Sequence, residues 1–146
     1  MDMKIKKLDP SAIAPVYASA AAAGADICAL ASGEPTTILP GETVFIHTGI
    51  AMAIPAGYVG LICARSGMAC KRGLAPANKV GVIDADYRGE VMVALHNHGI
   101  TPQTVEPGDR IAQLLIMPVA AVTFSEVNDL DETARGEGGF GSTGTK

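Results

Sequence analysis

The chain has 146 residues and a formal net charge of −4, with 48% hydrophobic and 18% charged residues. That length suffices for one domain burying about two-thirds of the surface its unfolded form exposes, and the acidic balance argues against a nucleic-acid coat, because phosphate backbones are held by clustered Lys and Arg. With no Trp and 4% aromatics, the core must be aliphatic, and so few charges imply that subunit surfaces are buried as well.

Seventeen Gly and nine Pro spread through the chain favour all-β architecture over helices. The three cysteines, Cys28, Cys63 and Cys70, are odd in number and lack CxxC spacing, which suits a reduced, cytoplasmic compartment. Lys4, Lys6 and Lys7 precede an alanine-rich stretch, but Asp9, Pro10, Ser11 and Pro15 break what a secretory signal needs as a continuous apolar run.

In chain order, residues 3–8 alternate apolar and basic side chains and predict a first strand. Residues 18–25 are alanine-rich, yet at about two turns with Gly24 near the end an isolated helix is marginal, so a loop leading to Asp26 is expected. From Thr36 onward, short apolar strands alternate with Pro-Gly or Pro-x-Gly turns about every ten residues, the signature of a sandwich or jelly roll. The turn Pro40-Gly41-Glu42 recurs as Pro107-Gly108-Asp109, each feeding an apolar strand. Residues 65–73 predict the one short helix, with Ser66 capping its start, Lys71 and Arg72 at its negative end and Gly73 closing it. Its first amides, the Ser66 hydroxyl and Arg65 would suit a phosphate, although a capped connecting helix explains the same residues.

Residues 80–83 and 91–95 are apolar runs joined by Asp84, Asp86, Tyr87, Arg88 and Gly89, and read as a β-hairpin. Asp84 follows Ile83 directly, at the edge of an apolar wall that would raise a carboxylate towards general-base range. Tyr87 offers a flat face for a sugar or base. An ordinary hairpin whose Asp residues shape the turn is the competing explanation. Residues 110–117 predict a strand in which Gln113 is polar within an apolar run, bonding the neighbouring backbone or pointing into a site. Residues 121–124 read as a last strand and 129–133 as an acidic linker. Scattered His47, His96 and His98 have no metal-ligand spacing.

Five glycines fall in the ten residues 135–144, with Arg135, Phe140, Ser142 and Thr143 among them. A disordered tail is one reading; a lid whose amides, arginine and hydroxyls cradle an anion is the other. Gly136 and Gly141 have P-loop spacing, but Ser142 stands where the lysine belongs, which excludes a Walker-type NTPase. The expected division is a β-sheet core over 1–134 and a glycine-rich arm over 135–146.

Five stretches, in this order, carry a family resemblance: Ala23-Gly-Ala-Asp-Ile; Arg65-Ser-Gly-Met; Asn78 with Gly81-Val-Ile-Asp-Ala-Asp-Tyr-Arg-Gly-Glu; Pro107-Gly-Asp-Arg-Ile-Ala-Gln-Leu; and Arg135-Gly-Glu-Gly-Gly-Phe-Gly-Ser-Thr-Gly. Together they resemble the trimeric dUTP pyrophosphatase (dUTPase) family. The resemblance implies a distorted jelly-roll or β-clip sandwich with one short helix, assembled as a homotrimer with active sites between subunits. It also implies Mg2+-dependent hydrolysis of dUTP to dUMP and pyrophosphate, which removes dUTP from the nucleotide pool and supplies dUMP for thymidylate synthesis.

By the same resemblance, Asp84 is the base that deprotonates water for attack on the α-phosphorus, Gln113 steadies that water or the phosphate, and Asp26 is a carboxylate near the metal and water. Arg65, Ser66 and Gly67 hold phosphates. Asn78, with the backbone of Gly81, Val82 and Ile83, reads the uracil edge, and Tyr87 packs on the deoxyribose so that a 2′-hydroxyl finds no room. Arg135, Gly141, Ser142 and Thr143 bind outer phosphates, with Phe140 over uracil. The metal is held mainly by the triphosphate and waters, with Asp26 at most in its outer sphere. Ala25 and Cys70 depart from the family pattern without touching a proposed group. The alternatives are a dCTP deaminase-like enzyme of the same fold, disfavoured because that family carries a glutamate where Asp84 stands and lacks the pair Asp86 and Tyr87, and a non-catalytic nucleotide-binding β module.

Overall fold

Turn chemistry sets where strands begin. In the computed structural model, which describes residues 1–139, both Pro-Gly-acid turns have the same build. Gly41 and Gly108 adopt φ values of 76° and 80°, a left-handed conformation that costs glycine little. The acid then reaches back three residues: the Leu39 amide donates to Glu42 Oε2 at 2.8 Å and the Glu106 amide to Asp109 Oδ2 at 3.1 Å. Each turn therefore closes on itself before the next strand starts.

The strands so delimited are β1 (Lys4–Lys7), β2 (Val16–Tyr17), β3 (Ala25–Cys28), β4 (Thr36–Ile38), β5 (Thr43–Ile46), β6 (Ile50–Ala53) and β7 (Tyr58–Cys63), then, after helix α1 (Ser66–Arg72), β8 (Leu74–Pro76), β9 (Gly81–Ile83), β10 (Val93–Asn97), β11 (Gln103–Val105) and β12 (Arg110–Pro118). The fold is all-β with one short helix, as the sequence predicts. A five-stranded sheet runs β2-β3-β12-β7-β9, a three-stranded one β5-β10-β8, and two pairs are β1-β6 and β11-β4. Their inner faces meet in an aliphatic core that includes Ile38, Ile50, Leu74, Leu95 and Ile111, all at most 1% exposed. Burying these side chains is the main stabilising contribution, at about 1.5–3 kcal/mol each.

Buried polar groups in that core are paired. Asn97, fully buried, donates from Nδ2 to the carbonyls of Ile38 and Thr101 and accepts the Gly99 amide. Arg72 ties the end of α1 to the opposite side of the core, donating to Gln103, to Asp109 and to the Thr104 carbonyl. Gly73 ends the helix in the left-handed region, as expected, and its amide bonds the Ala69 carbonyl.

Three expectations need correction. The predicted hairpin does not form: β9 pairs with β7 and β10 with β5 and β8, so the two apolar runs belong to different sheets. Nine residues separate Ile83 from Val93, more than a hairpin turn uses, and 84–92 is a crossover between sheets. Residues 121–124 make no strand and are exposed, Phe124 at 92%, because no strand edge of the described chain lies beside them. Ser66 does not cap α1; Arg65 occupies the cap position without a side-chain cap bond, and Ser66 is the first helical residue.

Gly60 governs how closely β9 approaches. A Cβ there would fall 2.6 Å from Ile54 Cδ1 and 3.3 Å from Ile83 Cβ. Gly60→Ala is expected to destabilise the fold by about 1–3 kcal/mol through overpacking, read from the urea midpoint; an unchanged midpoint would show that β9 has slack at this position.

Candidate active site

The predicted site residues fall into two groups on the five-stranded sheet. In the first, Asp26 on β3, Gln113 on β12 and Cys63 on β7 stand directly opposite one another across three strands, and opposed residues share a face. Gln113 lies against Gly24, where a Cβ would come within 3.2 Å of the Gln113 Cβ. Any larger residue at 24 would crowd the glutamine beside Asp26.

Arg65, two residues past the end of β7, turns back over this row. Its Nε donates to Asp26 Oδ1 at 2.8 Å and its Nη1 to the Arg110 carbonyl at 3.2 Å. Arg110 donates from Nη1 to Asp26 Oδ2 at 3.2 Å. Asp26 is only 6% exposed, and a carboxylate removed from water is tolerated when it is paired and hydrogen-bonded. The two guanidinium groups meet that requirement. Beside them Ser66 and Gly67 are exposed, and because the first helical bond runs from the Ala69 amide to the Arg65 carbonyl, their amides have no acceptor within the helix. Burial pushes the Cys28 thiol up, and the Asp26 charge pushes it the same way against the pull of Arg110 and Arg65; it stays protonated and inert.

The second group surrounds β9. Lys79 adopts φ 65° in a tight turn closed by the Val80 amide on the Asn78 carbonyl at 2.7 Å. That folds the Asn78 amide over Gly81, where a Cβ would sit 3.3 Å from Asn78 Nδ2. Asp84 follows the buried Ile83 but is itself exposed, so the apolar enclosure expected around it is not built by this chain alone. Its carbonyl accepts the Tyr87 amide. The Tyr87 hydroxyl donates to the Glu90 carbonyl at 2.8 Å, and the ring lies over Gly89, where a Cβ would fall 2.7 Å from Cζ. Arg88 donates to the carbonyls of Ala85 and Tyr87, bracing the same turn.

Glu90 anchors the far end of the crossover. Oε1 accepts the amides of Thr48 at 3.1 Å and Gly49 at 2.8 Å, and Oε2 lies 2.8 Å from His47 Nδ1. Burial works to raise its carboxyl, but the His47 bond, the Gly49 amide, the His47 charge and the Thr48 amide together outweigh it, leaving the group below its ordinary value.

Gly81, at the start of β9, is level with Ile62 beside Cys63, but Asp84 stands further along the sheet from the first group. Gln113 is level with Cys63, whereas Ile83 is level with Gly60 and Asp84 is one residue further on. At usual strand spacings this is about 13 Å along the strands and about 10 Å across them. A groove of about 170 Å3, lined by Ala29, Leu30, Phe45, His47, Val105 and Pro107 among others, contains none of the predicted residues. Arg135 is exposed and donates to the Gly138 carbonyl at 2.7 Å, its one bond among the described residues. Phe140, Gly141, Ser142 and Thr143 lie outside the described residues.

Among the described residues, no three His, Cys, Asp or Glu side chains converge on a point that could hold a metal ion. Each Asp26 oxygen accepts one guanidinium bond, and among the described residues no second and third metal-ligating side chain stands with it, so this carboxylate serves the two arginines. Three contributors escaped sequence reading. Gly24, Glu90 and Arg110 stood inside quoted motifs without a role; only the register and the loop contacts reveal what they hold.

A dUTPase family model matches residues 11–144. The chain is 49% identical over 142 residues to the deoxyuridine 5'-triphosphate nucleotidohydrolase of Syntrophotalea carbinolica, covering 97% of this chain and 96% of that protein. It is 52% identical over 141 residues to the Corynebacterium diphtheriae protein of the same name, covering 96% and 91%. Among solved structures, a mutant dUTPase of Staphylococcus bacteriophage 80alpha with dUpNHpp superposes with a TM-score of 0.90 at 29% identity, over 98% of each chain. A mutant dUTPase of phage phi11 of S. aureus, described with a structural Mg(II) ion, superposes with a TM-score of 0.81 at 26% identity, over 88% and 98%.

The depressed Glu90 carboxyl makes stability pH-dependent. A group whose folded value lies below its ordinary one stabilises the fold above that ordinary value, 4.5, and loses the contribution as pH falls through the folded value. Glu90→Gln should therefore cost about 1–2 kcal/mol at pH 7, with the gap from the parent closing below about pH 4. Urea melts across that range read it; a gap that stays constant with pH would show that the charge of Glu90 contributes nothing.

Proposed function

The chain belongs to the dUTPase family, and on that premise we propose that it hydrolyses dUTP to dUMP and pyrophosphate. The observation that carries this reading is the first group of site residues: two guanidinium groups fixed on a buried carboxylate, beside exposed amides and a glutamine, in a chain of net negative charge. Such an arrangement attracts a polyanion locally although the molecule as a whole repels one.

In this mechanism Arg65, with the Ser66 hydroxyl and the Ser66 and Gly67 amides, grips the phosphates, and Gln113 steadies water or phosphate. Asp84 accepts a proton as the water oxygen bonds to the α-phosphorus and the bond from that phosphorus to the bridging oxygen breaks, releasing pyrophosphate. Mg2+ arrives with the triphosphate as part of the substrate and neutralises its charge. The Asn78 amide, with backbone groups of Gly81 to Ile83, reads uracil. The Tyr87 ring, immobilised by Gly89 and the Glu90 carbonyl, packs on the deoxyribose and rejects a 2′-hydroxyl. Residues 135–146 form an arm that closes over the substrate, Arg135, Gly141, Ser142 and Thr143 on the outer phosphates and Phe140 over the base.

We place the complete site between subunits of a homotrimer. The distance from Asp84 to Gln113 within one chain supports this, because a base must come within hydrogen-bond reach of the water it activates. Exposed apolar side chains also support it, Phe45 at 64% and Val82 at 65%, since apolar surface of this kind suits an interface. Three free cysteines suit a cytoplasmic setting.

Products from dUTP, dCTP, dTTP and UTP with Mg2+ test the reaction. Pyrophosphate from dUTP alone is expected, whereas ammonia from dCTP would overturn the reading in favour of deamination. Asp84→Asn should lower turnover by about two to four orders of magnitude with dUTP affinity nearly intact; normal turnover would remove Asp84 as the base. Mixing Asp84→Asn with Arg65→Ala protomers, each inactive alone, should restore part of the activity on reassembly, and no recovery would mean that one chain builds the whole site.

A further inference from the structure

Arg110 is placed by an irregularity in its strand. Along a regular strand, residues three apart face opposite ways, so Arg110 and Gln113 should lie on different faces of the sheet. The pairing of β12 with β3 shifts register between Arg110 and Ala112: Gln113 is opposite Asp26, Ala112 opposite Ile27, but Arg110 is opposite Cys28. Cys28 and Asp26 are two apart and share a face, so the irregularity turns Arg110 onto the face of Asp26 and Gln113. Features of this kind re-aim side chains beside functional sites. Between them Ile111 is directed into the core, at 0% exposure, which fixes the shift.

We propose that Arg110 is a phosphate-binding residue of this site, the second prong of a clamp whose first prong is Arg65 and whose spread is set by Asp26. The inference rests on the triphosphate reading above. Asp26 takes one N–H from each guanidinium, Oδ1 from Arg65 and Oδ2 from Arg110. Among the described residues Arg65 Nη2 and Arg110 Nε and Nη2 are left without partners. A guanidinium held by one edge on a carboxylate keeps its remaining donors in a fixed plane. The side chain of Arg110 is 56% exposed while that of Asp26 is 8% exposed, so the pair is buried at the carboxylate and open at the cation. That polarity is what an anion entering from solvent meets. Asp26 is accordingly a positioning residue: it reaches the substrate only through the arginines, and its own oxygens are occupied.

The test compares binding of dUMP and of dUpNHpp with Mg2+ to the full chain and to Arg110→Gln. Because Arg110→Gln also leaves the buried Asp26 carboxylate with one guanidinium, thermal unfolding of each variant separates a loss of fold from a loss of binding. The clamp predicts that Arg110→Gln weakens dUpNHpp binding by about tenfold or more, one charge-assisted contact being lost, while dUMP affinity changes less than about twofold. Arg110→Lys keeps the charge but not the planar fork and should fall between. Asp26→Asn, which releases both prongs, should lose more triphosphate affinity than Arg110→Gln and raise KM more than it lowers kcat. Equal losses for the two ligands, or no loss for either, would overturn the clamp while leaving the hydrolase reading standing. Failure of the parent to bind dUpNHpp at all would overturn that reading and the clamp together.

Discussion

The arrangement turns on one buried carboxylate. Asp26 sits on β3, between β2 and β12 of the five-stranded sheet, where an unpaired buried charge would cost several kcal/mol, and the chain meets that cost with two arginines from distant positions. Arg65 must end β7 and start α1 at this place, Arg110 must enter β12 through a register shift, and Gly24 must leave room for Gln113 alongside. Four segments are thereby held to one point. Removing either arginine leaves the carboxylate half-compensated, so the structure and the proposed anion grip depend on the same bonds.

Around the crossover from β9, Arg88 and Glu90 bond backbone groups instead of each other. The crossover from β9 to β10 carries Asp84 and Tyr87, yet neither is buried by this chain. What holds the segment is its rim: the Tyr87 hydroxyl on the Glu90 carbonyl, Arg88 on two carbonyls, and Glu90 on the amides of Thr48 and Gly49. A segment anchored at its ends by a carboxylate and packed on Gly89 can present side chains to solvent without losing shape. That is suited to groups which act on a ligand lying between molecules.

Where the sequence was legible and where it was not follows from what pattern encodes. Pro-Gly spacing located β4 to β7, and apolar runs located β9, β10 and β12, because alternation and turn residues are local properties. Pairing is not local. Two apolar runs flanking a polar stretch look alike whether they form a hairpin or enter different sheets, and so β9 and β10 were matched to each other instead of to β7 and to β5 and β8. Residues 121–124 failed for a related reason: a strand pattern needs an edge to pair with, and Val122 and Phe124 stand exposed. Short strands such as β2, β8 and β11 are too brief to show a period at all. For the site, the motifs that carry the family resemblance singled out Asp26, Arg65, Gln113 and Asp84, but Arg110 was hidden because strand periodicity assigns it to the wrong face, and only the register shift corrects it.

The separation of the two groups has a chemical consequence if the trimer is as proposed. Asp84 stands about 16 Å from Gln113 on each chain, by the usual strand spacings, so the arginine pair on Asp26 and the base lie on different parts of one molecule's surface. The base then meets the phosphate only where two copies face each other. Affinity for the triphosphate and the ability to hydrolyse it therefore become separable properties of one sequence, the first written into β3, α1 and β12, the second into the crossover after β9 and into the contact between chains.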